Sequence, residues 1–206
     1  MSEVLRDQWS GLLRAWDVAP TLAESAFDEV ATHYRSPGRY YHTLDHILEV
    51  LRTTEQLSDF MSNPNAIRLA AWLHDVIYNS RASDNEEHSA AFARELCRTL
   101  NISSGPHVEE LILKTKSHDA GEDPDAKVLL DADLAVLGAN ESVYQLYAAN
   151  IRREYEWVPE QEYRVGRMHV LERFLARPHI FHFLKSLELV ARRNIAEEID
   201  RLSIPI

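Results

Sequence analysis

The feature that most constrains this fold is an apolar period of three to four residues that recurs along most of the chain. Leu44, Ile47, Leu48 and Leu51 show it clearly, and it returns in segment after segment from about residue 3 to residue 202. That spacing gives a helix one buried stripe, whereas a half-buried strand would alternate at every second residue, and no convincing alternation occurs. Only 6 glycines and 8 prolines punctuate the 206 residues, so long uninterrupted elements are favoured. Helices are expected at about 3–17, 21–35, 43–61, 65–77, 84–100, 107–117, 125–137, 141–156, 160–176 and 180–202. Thr21 with Glu24 forms a capping-box pattern, Asn65 and Asp84 are placed as N-caps, and Gly138 as a C-cap. The expectation is an all-α protein with a single domain over 1–206. Its core lies at about 40–138, with a C-terminal helical extension over about 141–206.

Hydrophobic residues make up 45% of the chain, enough for a sizeable core. The net charge of −11 disfavours duplex nucleic acid or an anionic membrane as a primary partner. The single cysteine, Cys97, excludes an internal disulfide and suits a reducing compartment. The N-terminus lacks a secretory pattern, and no stretch approaches the roughly 18–20 apolar residues of a membrane span, so a cytoplasmic location is expected.

Three segments carry ligand-type side chains where core is expected. In YYHTLDHILEVL (40–51), His42 and His46 are four apart, a spacing that stacks side chains on one helical face. In RLAAWLHDVIY (68–78), apolar residues surround His74 and Asp75 on nearly all sides. A carboxylate there is costly unless paired, which leaves either a buried His–Asp or arginine pair or a metal. In KVLLDADLAVLG (127–138), Asp131 and Asp133 point about 200° apart on a helix, so only one of them can face a given site. Buried His and Asp from three helices, without matching buried lysines, are most simply neutralised by one divalent cation. Imidazole with carboxylate suits Mn, Fe, Co, Ni or Zn.

The order His46, His74–Asp75, Asp133 resembles the H…HD…D signature of the HD-domain superfamily of metal-dependent phosphohydrolases, over about residues 40–138. HILEV, AAWLHDVIY and ADL are similar to that family's motif segments, and the resemblance favours Asp133 over Asp131 as the last ligand. YHTLDHILEV is similar to the YHNxxHAxxV segment of cyclic-nucleotide phosphodiesterases. The whole chain looks like a bacterial group of predicted HD phosphohydrolases. The resemblance implies an HD-like helical bundle that hydrolyses a small anionic phosphoester, including nucleotides. It implies one metal on His46, His74, Asp75 and Asp133, His42 as general acid, and Asp75 as both ligand and orienter of the nucleophile. Glu86, ahead of its neighbour Glu87, is the candidate second base. His118 is the candidate for a second metal, ahead of His88 and His107. Arg39, Arg164 and Arg167 are candidate phosphate contacts, and Tyr40, Tyr41 and Trp72 candidate pocket walls. One departure is plain: the glycine-lysine common after HD is replaced by Val76-Ile77-Tyr78-Asn79. Two alternatives stand beside this reading, a di-iron HD-type oxygenase and a non-catalytic, metal-stabilised module that binds a nucleotide or a protein.

Overall fold

The structure is a computed structural model that describes residues 2–204, and it is all-α. The helices are α1 Ser2–Leu13, α2 Pro20–Tyr34, α3 Leu44–Gln56, α4 Pro64–Leu73, α5 Asn85–Thr99, α6 Gly105–Thr115, α7 Pro124–Leu134, α8 Glu141–Glu154, α9 Glu160–Leu175 and α10 Glu188–Ser203. Short 3₁₀ turns follow α1, α3 and α7 and precede α10. No helix among the described residues is long and apolar enough to cross a membrane.

Each segment expected to be helical contains a helix, but several ends move, and tertiary partners or prolines explain the shifts. Pro20 and Pro64 occupy first-turn positions, where a missing N–H costs nothing, so α2 starts behind Ala19 and α4 behind Asn63. Asn63, not Asn65, caps α4 by accepting from the Ala66 N–H, and the expected Thr21–Glu24 capping box does not form. The last helix begins at Glu188 rather than near residue 180. The N–H groups of Ile180 and Phe181 are accepted by the Glu188 carboxylate instead of by helical carbonyls. Gly138 ends a 3₁₀ turn, and its lack of a side chain is required by packing: a Cβ there would lie 2.5 Å from Leu187 Cβ.

Helix α4 is the hub. Seven of its residues are buried, from Ala66 to Leu73, and it packs against α1, α3, α5, α6 and α7. Trp72 sits edge-on between Trp9 and Phe27, with ring centroids 5.3 and 6.1 Å away. Burying side chains of this size contributes about 2–3 kcal/mol each. Trp72 is therefore part of the core. One apolar cluster joins α1 to α7, and a second joins residues 134–195 of α8, α9, α10 and the turns between them, with Leu184 packed against both.

Asp131 and Asp133 of α7 face opposite ways, as their separation requires. Asp131 is buried and accepts the N–H groups of His182, Phe183 and Leu184, pinning the loop before α10 onto α7. Asp131→Ala would strand three N–H donors, and each hydrogen bond to a charged acceptor is worth about 1.5–3 kcal/mol. A loss on the order of 3 kcal/mol in urea unfolding is expected. An unchanged midpoint would contradict this role.

Candidate metal centre

The chain ends helix α4 just where the HD pair begins. Neighbouring residues on a helix point about 100° apart, so a helix running on to Ile77 would splay His74 and Asp75. Instead α4 stops at Leu73, and the side chains of both residues reach one point. The carbonyls freed at this end are satisfied by specific partners. Tyr34 Oη donates to the Trp72 carbonyl, and Arg39 donates to those of Asp75 and Val76 at 2.7 and 2.8 Å. Ser89 Oγ closes the turn by donating to the Ile77 carbonyl and accepting its N–H. The His74 Nδ1–H points to the Ala71 carbonyl at 2.9 Å, which turns Nε2 toward the cluster.

His46 in the first turn of α3 and Asp133 near the end of α7 complete a group of four. The ligand atoms of His46, His74, Asp75 and Asp133 all lie within 4.8 Å of one another, the one such group of three or more among the described residues. His74 Nε2 is 3.1 Å from Asp75 Oδ2 and 3.4 Å from Asp133 Oδ1. His46 Nε2 is 3.5 Å from Asp75 Oδ2, 3.3 Å from Asp133 Oδ1 and 3.3 Å from His74 Nε2. Two ligands about 2.0–2.1 Å from a tetrahedral ion sit about 3.3–3.4 Å apart, close to these five separations. Neighbouring oxygens around octahedral Mg would be nearer, at about 2.9–3.0 Å. The donor set and its spacing fit a divalent transition metal.

Charge tells the same story. Burial alone pushes His46 and His74 down, but Asp133 and Asp75 outweigh it and hold both imidazoles above their usual range, His74 well above. Burial pushes Asp75 and Asp133 up, yet the facing imidazoles hold both well below the ordinary carboxylate range. Without a metal, protons on both rings would be needed to balance the two carboxylates. That arrangement sets two N–H groups against each other across 3.3 Å. One dication with neutral imidazoles balances the same charge without the conflict.

His42 is not on the helix. It precedes the Thr43 N-cap of α3, so the spacing of four does not stack it on His46, and the ring centroids are 6.1 Å apart. Its place is set by Glu154 of α8. Glu154 Oε2 lies 2.6 Å from His42 Nδ1, and Oε1 accepts the N–H groups of Tyr40, Tyr41 and His42. Tyr78 Oη donates to the same carboxylate while its ring stacks on His42 at 4.1 Å. Arg39 adds a bond to the His42 carbonyl at 3.0 Å, so one guanidinium ties the His42 loop to the HD turn.

Sequence reasoning missed Glu154. A signal existed: Glu154 follows Tyr144 and Ile151 at helical spacing, which puts an acid on the buried face of α8.

The remaining candidates fall as follows. His118, with left-handed φ of 50°, places Nε2 3.3 Å from Asp133 Oδ2, and Arg177 holds the Ser117 and His118 carbonyls. His88 and His107 lie elsewhere, paired with Asp84 and Asp125. Glu86 opens α5 outside the four-residue group, and Glu87 pairs with Lys116. Arg39 donates through Nη1 and Nη2 to three carbonyls, and its Nε has no partner among the described residues. Arg164 pairs with Glu160 and the Ile204 carbonyl. Arg167 pairs with Glu198 and reaches toward the centre only through Tyr147, whose hydroxyl accepts from it at 3.2 Å. Tyr40 packs beneath Arg153. Tyr41 lies at the centre, its ring 4.7 Å from those of His46 and Tyr147. Burial and the nearby Tyr147, Asp133, Asp75 and Glu154 hold its phenol well above the usual range, so it keeps its proton.

Comparison of the chain with protein-family models, curated proteins and solved structures finds no match. The chemistry of the centre is read from its own residues.

Burial raises the Glu154 pKa, but the bond and charge of His42 and the N–H groups of His42 and Tyr40 outweigh it, bringing it from 4.5 to about 2. A depressed carboxylate stabilises the fold fully above its unfolded pKa and loses that contribution as pH falls through the folded value. Stability is therefore expected to drop by about 3 kcal/mol between pH 4.5 and pH 2 from this group alone. Urea unfolding of Glu154→Gln should show a correspondingly shallower decline over that interval. Parallel pH profiles for the two proteins would contradict the assignment.

Proposed function

We propose that the chain is an HD-type metal-dependent phosphohydrolase acting on a small phosphoester, nucleotides included. One Mn, Fe, Co, Ni or Zn ion would be held by His46, His74, Asp75 and Asp133. The observation that carries this reading is the convergence of two imidazoles and two carboxylates beside a separately mounted histidine, His42. When bound, such an ion supplies Lewis acidity toward a phosphoryl oxygen and toward water.

The chain's own residues supply the rest. Glu154 engages Nδ1 of His42, which leaves Nε2 to pass a proton to a leaving oxygen. Tyr78 and Arg39 restrict the loop that carries His42. Asp75 would serve as a ligand and would accept a hydrogen bond from the attacking water, orienting it. His118 contacts the Asp133 oxygen that does not face His46, which orients that carboxylate from behind. The single group of four ligands supports one cation per chain, since among the described residues no group of three or more includes His118.

The test is a panel of phosphomonoesters, phosphodiesters and nucleotides assayed with the metal-loaded protein and with His42→Ala. Turnover by the wild type is expected, with a loss of about 10²–10⁴ in His42→Ala at unchanged metal content. A metal-loaded wild type inert across the panel would contradict hydrolysis and favour a binding module. A His42→Ala protein that arrives without metal would make His42 a ligand.

A further inference from the structure

A phosphoester approaching this centre meets two carboxylates on a chain of net charge −11. Beyond a cation, it needs hydrogen-bond donors, and the nearby ones are almost all committed. Arg39 donates to the carbonyls of His42, Asp75 and Val76. Arg177 donates to those of Ser117 and His118. Arg167 is held by Glu198 and Tyr147. The hydroxyl of Tyr78 is taken by Glu154.

Tyr41 is different. Its ring is wedged between those of His42, His46 and Tyr147, at 5.0, 4.7 and 4.7 Å. Its backbone N–H is fixed by Glu154 at 2.7 Å, so the residue is held firmly. Yet its hydroxyl has no hydrogen-bond partner among the described residues. Nor is it sealed off: the buried side-chain polar atom without a partner among the described residues is Arg39 Nε, not the Tyr41 hydroxyl. A fixed aromatic ring that carries an uncommitted, solvent-accessible donor beside the metal ligand His46 is built to meet something that is not protein.

Resting on the phosphohydrolase reading above, we propose that the Tyr41 hydroxyl is a substrate-binding donor that bonds a phosphoryl oxygen of the ligand seated at the His46–His74–Asp75–Asp133 centre. An O–H donor facing an anionic oxygen makes a short, charge-assisted bond. A neutral phenol supplies that bond without placing a further cation against the metal. Tyr147, whose oxygen accepts from Arg167, packs edge-on against the Tyr41 ring at 4.7 Å and limits how far the phenol can swing.

The test uses inorganic phosphate as the probe, titrated calorimetrically into metal-loaded wild type and Tyr41→Phe. This substitution removes only the hydroxyl and keeps the packed ring. The expected result is unchanged metal content and thermal midpoint, with phosphate bound about tenfold more weakly, the effect of one hydrogen bond to a charged group. Equal phosphate affinity in the two proteins would overturn the proposal and leave the phosphohydrolase reading standing. Loss of metal in Tyr41→Phe would overturn it too, by making the hydroxyl part of the metal-site scaffold. A metal-loaded wild type that takes up no phosphate would overturn both.

Discussion

Two half-buried carboxylates facing two buried imidazoles are the interaction on which this structure turns. Asp75 and Asp133 meet His46 and His74 at separations of 3.1 to 3.5 Å in the interior of a helical protein. Leaving such charges unpaired costs several kcal/mol each, so the protein must neutralise them. Two protons can do so, at the expense of opposed N–H groups across 3.3 Å, and one dication does so without that conflict. The end of α4 at Leu73, the outward turn of Asp131 and the Ala71 carbonyl behind His74 all serve to bring these four side chains to one point.

Other carboxylates show by contrast why this group is distinct. Asp125 accepts the N–H groups of Ser62 and Asn63, Asp131 those of residues 182–184, Glu154 those of residues 40–42, and Glu188 those of Ile180 and Phe181. Each fastens a loop to a helix through backbone donors, which keeps an acid ionised without any metal. Asp75 and Asp133 accept no backbone N–H among the described residues; they face imidazoles instead. The distinction separates acids that hold the fold from acids grouped where a cation could bind. Glu154 belongs to the first kind, yet it reaches from the C-terminal helices into the centre and fixes His42, so the site is built from both apolar clusters of the chain.

The helices and the four candidate ligands were legible because both are local signals. Apolar periodicity marks a helix from its own residues, and His or Asp inside an apolar run is anomalous on its face. The opposed directions of Asp131 and Asp133 followed from helix geometry alone. What stayed hidden depends on distant partners. The stop after Leu73 needs Tyr34, Arg39 and Ser89 to take the freed groups, and no propensity near Leu73 announces it. The mounting of His42 depends on Glu154, 112 positions away. Arg39 looked like a phosphate contact because an arginine beside a histidine motif is chemically suited to one; its three carbonyl acceptors appear only once the HD turn is folded against it.

The most direct measurement is the elemental content of the protein as purified, beside an Asp75→Ala variant. The four-ligand centre predicts about one equivalent of Mn, Fe, Co, Ni or Zn per chain, lost when the Asp75 carboxylate is removed. Stoichiometric metal retained by Asp75→Ala would contradict the ligand set. No metal in the wild type, even after reconstitution with each of the five ions, would mean that the two imidazoles and two carboxylates satisfy one another with protons alone.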